Sequence, residues 1–465
     1  MSDTHSPDVL IIGDGIAGCA TAITAREAGA KALVIDKAPA DVPHGNTHFS
    51  GGSLRRTGPK YSADQFYNDV LNLSGQRADP EQTRIVVDNS ERARDWLGKL
   101  GVTWLSPERT AVRANQAEDR GKGLAASLRK AVRNRSIPIL NETEAVSLIR
   151  ENSRVVGAVV RDKSGQREIR AKAVVIACGG FGANTEMVKH YLGAGATNLV
   201  LRGSPYNTGD GLRMLEALGV PLDWMDDFHG GVIHYGYRKY PKEGAERGMR
   251  SMKTYETCII VNQRGERFFD EGENTSDKTY AKLGKITALT QPDGVAYMIV
   301  DAKNRDRIDP MYYGPEKEPI EAASLSELAK KLDLPVDAFL KTVADFNAAV
   351  KDGKALTAKP PKTNFAHTIE QAPFIAHKVT GGFTFTFGGI RAKKTGEVLD
   401  AQKQPIPGLF AVGEIVTGIF YGNYAGGSSL ARCAVYGRIV GFQAAHYAVP
   451  SAAVPAEIWA ATVLS

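Results

Sequence analysis

The sequence predicts an α/β protein organised around a parallel sheet, and three observations predict it. An apolar run, Val9–Ile12, is hydrophobic at successive positions, as a strand buried on both faces must be. It breaks into Gly13-x-Gly15-x-x-Gly18 and a helix of small residues (Ala17, Ala20, Ala22, Ala25) that ends near Gly29. A second strand, Ala32–Ile35, then delivers Asp36 at its tip.

The order of these pieces has a physical reason. Gly13 permits a tight turn, Gly15 lets a pyrophosphate approach the backbone, and Gly18 lets helix and strand pack closely. The helix N-terminus then meets the phosphate charge, and an acid about twenty residues on binds a ribose hydroxyl. A glycine-rich βα turn that binds nothing would leave Asp36 without a purpose. The expectation is a Rossmann-type dinucleotide site, and the motif alone does not separate NAD from FAD.

At 465 residues the chain exceeds one typical domain, and its composition (43% hydrophobic, 24% charged) is that of a globular enzyme. A net charge of +6, spread along the chain, gives no nucleic-acid footprint and suits an anionic ligand. Cys19, Cys178, Cys258 and Cys433 form no CxxC pair, which argues against a zinc site, an iron–sulfur cluster or a c-type haem. Buried inert thiols suit a reducing cytoplasm. No signal peptide is visible in MSDTHSPD, and no apolar run nears the roughly 20 residues of a membrane span.

Along the chain, Lys37–Arg56 is a polar, glycine-rich loop of the kind kept for function. Tyr61–Gly101 reads as helical through Ile85, Val86, Ala93, Trp96, Leu97 and Leu100, and Gly121–Val132 as a further helix. Ala145–Asp162 reads as two strands around Gly157, and Ile169–Ala177 as a third that runs into Cys178-Gly179-Gly180-Phe181-Gly182. Asn207–Gly219 reads as a helix capped by Thr208 or Asp210. Residues 222–372 are richer in aromatics and charges, with a strand at Thr257–Asn262, helix at Leu325–Val350 and a closing Pro360-Pro361. From Pro373 the glycine-rich core pattern returns and ends in a loop that enters a long helix. The expected division is therefore 1–221, 222–372 and 373–465, with the middle part inserted into a split dinucleotide-binding domain.

GDGIAG, VVIACGGFG, NQRGERFFDEG (Asn262–Gly272) and GLFAVGE…GGSSLARCAVYGR together resemble the flavoprotein family of fumarate reductase and succinate dehydrogenase, across essentially the whole chain. GNTHFSGGSLR, TSDKTYAKLG, PPKTNFA and FYGNYAGG are most similar to its tricarballylate dehydrogenase branch, with ketosteroid dehydrogenases a more distant likeness. The resemblance implies FAD, a glutathione-reductase-like FAD domain and an inserted α+β capping domain. It implies phosphate contacts from Gly13, Gly15, Ile16, Ala17 and Gly18, and ribose contacts from Asp36 with Lys37 beside it. Asn46, Thr47, Ser50, Gly51 and Gly52 would run along the flavin. Ala177 and Gly179 would border the adenosine end, and Ala145, Gly180 and Asp210 would also contact the cofactor. Gly413 and Glu414 would meet ribityl or ribose hydroxyls, and Ser428, Ser429 and Leu430 the pyrimidine edge. Relatives with covalent flavin carry a histidine in the first loop. His44 and His48 miss its spacing, so the implied FAD is non-covalent.

Three family positions differ. Ser276 stands where fumarate reductases keep the proton-donating arginine, Tyr424 where a second arginine grips a carboxylate, and Thr384-Phe385 where a histidine pair precedes the T-M-G-G stretch. Serine and tyrosine cannot reproduce the charged two-point grip of a guanidinium. The tricarballylate branch shares the tyrosine but keeps an arginine at the position of Ser276. The expected activity is an FAD-dependent dehydrogenation that introduces a C=C bond next to a carboxylate or carbonyl. The alternatives are an ene-reductase of the fumarate reductase type, a ketosteroid-dehydrogenase-like enzyme, or a flavin subunit relaying electrons to a partner. Tyr424 is the first candidate for hydrogen-bond donor or acid and Tyr280 for base or relay. Arg250, Arg56 and His234 are candidate anion ligands. His229 and His234 lack a third ligand at metal spacing, so no metal is expected. The substrate is expected to be a small anion, and the electron acceptor a separate quinone-linked protein or diffusible molecule.

Overall fold

The computed structural model describes residues 6–106, 113–239, 251–308 and 319–453. The chain forms two compact units. The first comprises Met1–Tyr191, Gly203–Asp227 and Phe385–Ser465; the second comprises Leu192–Arg202 and Phe228–Thr384. The second unit thus takes in residues 373–384, because strand Phe374–Thr386 pairs with Ala296–Val300 and Ile320–Ala322.

In the first unit, strand β1 (Val9–Ile12), helix α1 (Ile16–Glu27) and strand β2 (Ala32–Ile35) fall where the apolar and glycine pattern puts them. A six-stranded sheet runs in the order Glu397–Leu399, Pro405–Ala411, Ala173–Ile176, β1, β2, Ile139–Leu140, and all its pairings but the first are parallel. β1 lies inside the sheet and is fully buried, which is why its residues are apolar without alternation. The last helix, Ser428–Ala448, lies on α1 at Gly437 and Gly441: a Cβ there would come within 2.6 Å of Ala20 Cβ and 2.5 Å of Thr21 O.

Several local expectations are corrected. Tyr61–Gly101 is two helices, Ala63–Leu73 and Pro80–Lys99, because Asp79 caps a new helix with proline in its first turn. The turn between strands Glu144–Glu151 and Arg154–Asp162 is at Asn152, with φ 54°, and not at Gly157. Gly157 sits inside the second strand next to a register shift, where a Cβ would lie 2.3 Å from Ile169 O. Ile169–Ala177 is divided between two sheets, since Lys172 N and Ala173 N both donate to Asp8 O and turn the chain. The helix expected over 207–219 is Asp210–Glu216, with Gly209 as N-cap at φ 81°. Thr208 and Asp210 cannot cap it because Lys37 Nζ holds both side chains, Asp210 at 2.5 Å.

In the second unit, strands Ile259–Asn262, Ala296–Val300 and Phe374–Thr386 make an antiparallel sheet. Helices Leu325–Lys331 and Val336–Ala349 pack on it, separated at Pro335 where a single helix was expected. The NQRGERFFDEG stretch has a structural function here. Glu271 Oε2 lies 2.5 Å from Arg267 Nη2, both side chains are buried, and Glu271 Oε1 also accepts from Ile260 N. Arg267 Nε also donates to Glu271 Oε1, and Nη1 and Nη2 reach Pro360 O and Phe269 O.

Candidate functional site

The N-terminus of α1 is built for close approach. Gly13 has φ 111°, and a Cβ on it would lie 2.5 Å from Ala177 O; on Gly18 it would lie 1.9 Å from Gly13 O. A Cβ on Gly15, the N-cap, would meet nothing nearer than Thr47 Oγ1 at 3.5 Å, and the first turn of α1 holds no acid. Thr47 Oγ1 accepts the N–H of Ile16 at 3.0 Å. Asp36, at the tip of β2, accepts from Asp14 N and Ala38 N. Open space at Gly15, a helix N-terminus with no acid in its first turn and a carboxylate at the next strand tip fit the pyrophosphate and ribose of a dinucleotide.

Beneath this turn lies an ionic cluster that spacing did not reveal. Arg129 grips both oxygens of Asp14 at 2.8 and 2.9 Å, and His44 Nε2 lies 3.0 Å from Asp14 Oδ2 while its Nδ1 meets Val42 O. Burial alone would raise the Asp14 pKa, yet His44 and Arg129 hold it below the ordinary value. Burial, followed by the Asp14 charge, pushes Asp36 up to about 6. Among the described residues, Asp14, Asp36 and His44 also have ligand-type atoms within 4.8 Å of one another, but Arg129 already occupies Asp14.

The loop expected beside the flavin is tied down by one carboxylate. Asn46 Nδ2 donates to Glu414 Oε2 at 2.7 Å, while Asn207 Nδ2, Thr386 N and Thr386 Oγ1 donate to Oε1 at 3.1, 3.0 and 3.1 Å. Asn46 Oδ1 accepts from Ser204 N. Glu414 therefore joins four segments, and protein donors already occupy the carboxylate that the family likeness assigns to hydroxyls. Burial raises its pKa despite them. Gly180 passes this knot with no room for a Cβ, which would lie 2.0 Å from Thr386 Oγ1. Gly413 borders Ala17, Gly179 borders Asn207, and Gly52 at φ 65° presses on Arg120. Ser50 Oγ donates to Thr47 O and accepts from Gly52 N, next to Gly51. Lys37 and Asp210 are paired with each other, and Ala145 is buried opposite Val160.

The last helix begins at Ser428 after Gly427, which has φ 87°. Tyr424, 4% exposed, places its hydroxyl oxygen there and accepts from Gly427 N at 3.1 Å and Ser429 N at 3.0 Å. Ser428 N donates to Ala425 O, and Leu430 follows in the first turn. Phe385, Phe387 and Phe420 surround the phenol ring. Burial raises its pKa, so it is protonated at neutral pH. Arg55, buried beneath, fixes the loop through Gly426 O and Gly427 O. Arg56, a candidate anion ligand, is instead bound to Asn115 and Thr57 O.

The second unit holds Tyr280, His234 and Ser276. Tyr280 meets His229 edge to face at 4.9 Å and lies under Lys253 Nζ at 4.5 Å. His234 is buried and its Nδ1 accepts from Gly236 N. Ser276 opens helix Ser276–Thr290 and donates its N–H to Glu256 Oε2. Arg250 lies outside the described residues. Arg202, which the sequence did not single out, is largely buried beside these groups and donates to Thr384 Oγ1 at 2.7 Å.

The sequence matches the FAD binding domain family over residues 8–430. The chain belongs to the fumarate reductase/succinate dehydrogenase family of FAD-binding flavoproteins. It is 29% identical to a probable fumarate reductase of Shewanella frigidimarina over 96% of this chain and 76% of that protein. A 3-oxosteroid 1-dehydrogenase of Mycolicibacterium smegmatis is 26% identical over 96% of this chain and 98% of its own length. The open form of a flavocytochrome c3 fumarate reductase superposes with a TM-score of 0.73 at 28% identity, covering 96% of this chain and 79% of that one. The flavoprotein is an FAD-dependent oxidoreductase acting at carbon–carbon bonds. Among its described residues no helix is long and apolar enough to cross a membrane.

For this flavoprotein Asp36 sets a pH dependence. Its folded pKa, about 6, exceeds the ordinary 3.8. Its contribution to apoprotein stability is thus full below 3.8 and lost as pH rises through about 6. If Asp36 meets ribose hydroxyls as the family likeness implies, they favour its ionised form, and FAD should bind more weakly at pH 5 than at pH 7.5, as measured by flavin fluorescence on titration. Asp36→Ala should flatten that dependence and weaken FAD binding roughly 10- to 100-fold, from the 1.5–3 kcal/mol of a hydrogen bond to a charged group.

Proposed function

We propose that the protein dehydrogenates a small anionic substrate at adjacent carbons beside a carboxylate or carbonyl, in the manner of a tricarballylate dehydrogenase. The observation that carries the dehydrogenating direction is Ser276, a position where the chain departs from the tricarballylate branch as well as from fumarate reductases; the likeness to that branch is carried by Tyr424. The turn that would supply a proton-returning arginine in a fumarate reductase begins a helix here, with its N–H held by Glu256. That favours removal of hydrogen over its delivery.

FAD, when bound, supplies the hydride acceptor, held by Gly13–Gly18, Asp36, the Asn46–Gly52 loop and the start of the last helix. Tyr424 keeps its proton through burial, while two backbone N–H groups polarise its oxygen. It serves as hydrogen-bond donor to a developing enolate. Tyr280, against His229 and Lys253, serves as base or relay, and His234 as a further polar ligand. His44 engages both ring nitrogens, which supports non-covalent FAD. The four cysteines are free thiols, which supports a cytoplasmic setting. The electron acceptor is a separate quinone-linked protein or a diffusible molecule.

Anaerobic mixing of the FAD-loaded protein with tricarboxylates, dicarboxylates and ketosteroids tests the direction. Bleaching of the oxidised-flavin band by a saturated acid is expected. If no compound bleaches it while an enoate reoxidises the reduced protein, the reductase reading, which the fumarate reductase relative favours, replaces this one.

A further inference from the structure

We propose that Arg129 and His44 are cofactor-positioning residues: their two charges cancel the two acids that flank the N-terminus of α1, Asp14 and Asp36, and leave that helix end free to attract the diphosphate of FAD. The difficulty they remove is visible in the sequence. Asp14 stands between Gly13 and Gly15, inside the turn that must receive a doubly charged group. Asp36, at the next strand tip, accepts from Asp14 N at 3.1 Å. Carboxylates beside a helix N-terminus offset the same positive end that an anionic ligand needs, and two of them would repel a diphosphate.

The two cations come from separate segments. Arg129 lies on helix Arg120–Asn134, and His44 immediately precedes the short helix Gly45–Phe49. The guanidinium grips both oxygens of Asp14, at 2.8 and 2.9 Å, and its Nη2 also donates to His44 O at 3.2 Å. Its place is against the turn itself: a Cβ on Gly45 would lie 3.9 Å from Arg129 Nη2 and 3.9 Å from Gly15 Cα. Thr47, in the same short helix, accepts from Ile16 N, so this segment touches the start of α1 at two points.

His44 is 1% exposed, and each of its ring nitrogens faces an acceptor: Nδ1 the carbonyl of Val42 at 2.7 Å, Nε2 the Asp14 Oδ2 at 3.0 Å. A carbonyl cannot donate, and a carboxylate gripped by a guanidinium fork keeps no proton. Both nitrogens therefore carry hydrogen, and the ring is an imidazolium. Burial opposes that charge, but the hydrogen bond and charge of Asp14 outweigh it and raise the pKa. A ring nitrogen of His44 also lies within 4.8 Å of an Asp36 oxygen. With Asp36 ionised, the four groups sum to zero. Arg129 alone would satisfy Asp14 as a structural tie, since its fork takes both oxygens. The second buried cation is accounted for by the balance against Asp36.

FAD dissociation constants, read from flavin fluorescence on the full-length apoprotein at pH 7.5, test the assignment. Arg129→Met and His44→Gln should each weaken FAD binding by about tenfold or more, because each leaves one acid uncancelled. The glutamine still offers Asp14 a donor, so its loss of affinity reports charge. Combining either change with Asp14→Asn restores the balance and should return most of the lost affinity. A tie that served stability alone would stay broken in the double variants, which would then bind FAD no better than the singles. Melting temperatures of the apoproteins follow stability separately, and the two His44 variants decide the matter if Arg129→Met does not fold. In protein labelled with 15N-histidine, the resonances that vanish in His44→Gln should show both ring nitrogens protonated at pH 7. Wild-type affinity in both single variants, double variants as weak as the singles, or a neutral His44 ring overturns the proposal.

Discussion

Glu414→Leu is expected to lower stability by about 3–5 kcal/mol and to leave a protein that no longer retains FAD. The leucine is close in volume but accepts no hydrogen bond. It leaves Asn46 Nδ2, Asn207 Nδ2 and Thr386 N without their acceptor in a place where water replaces it poorly. Each orphaned donor costs roughly 1–3 kcal/mol. The loss spreads to the loop that carries Asn46, because Asn46 also holds Ser204 N. Glu414→Gln separates charge from geometry. It keeps the oxygen that Thr386 and Asn207 use and sets an NH2 against Asn46, whose own oxygen is committed, so about one bond is lost. Since burial raises the Glu414 pKa, its contribution is greatest at low pH and is lost as pH rises through the folded value. The glutamine variant should therefore fall furthest short of wild type in acid and approach it in alkali. Urea denaturation at several pH values, with released FAD measured by fluorescence, checks each of these outcomes. Equal stability of Glu414→Leu and wild type would show that the four hydrogen bonds do not hold the loop.

Glu271→Ala should destabilise the second unit by about 3–5 kcal/mol, because it leaves the buried Arg267 guanidinium without its counter-charge. It also removes the acceptor of Ile260 N, in the edge strand of the sheet. A double replacement, Arg267→Met with Glu271→Leu, removes both charges and should recover most of the loss. Thermal melting of single and double variants separates the cost of an orphaned charge from the worth of the pair. If the double variant is as unstable as Glu271→Ala, packing and the Ile260 bond dominate and the charge account is wrong.

What could be read from the sequence depended on how local the cause was. The β1–α1–β2 unit was legible because glycine spacing, apolar run and terminal acid all lie within Val9–Asp36 and act on each other directly. Helix ends were misplaced where a side chain had a better partner elsewhere, as with Thr208 and Asp210 on Lys37. The Glu414 knot was invisible because its partners lie 368 and 207 residues away and have no fixed spacing. Arg129 on Asp14, 115 residues on, is of the same kind. Arg202 was passed over because a lone arginine after two apolar residues reads as surface. A usable signal existed in Gly230-Gly231, Gly284 and Gly381-Gly382, glycines that let helix Ser276–Thr290 and two strands of the second unit approach each other closely.

The measurement that bears most directly on the central claim is product analysis after anaerobic incubation of the FAD-loaded protein with the acid it binds and an artificial electron acceptor. The expected product is the same carbon skeleton lacking two hydrogens from adjacent carbons, formed in proportion to acceptor reduced. Acceptor reduction with the carbon–carbon bonds unchanged, or a product oxidised at oxygen or nitrogen, would contradict it.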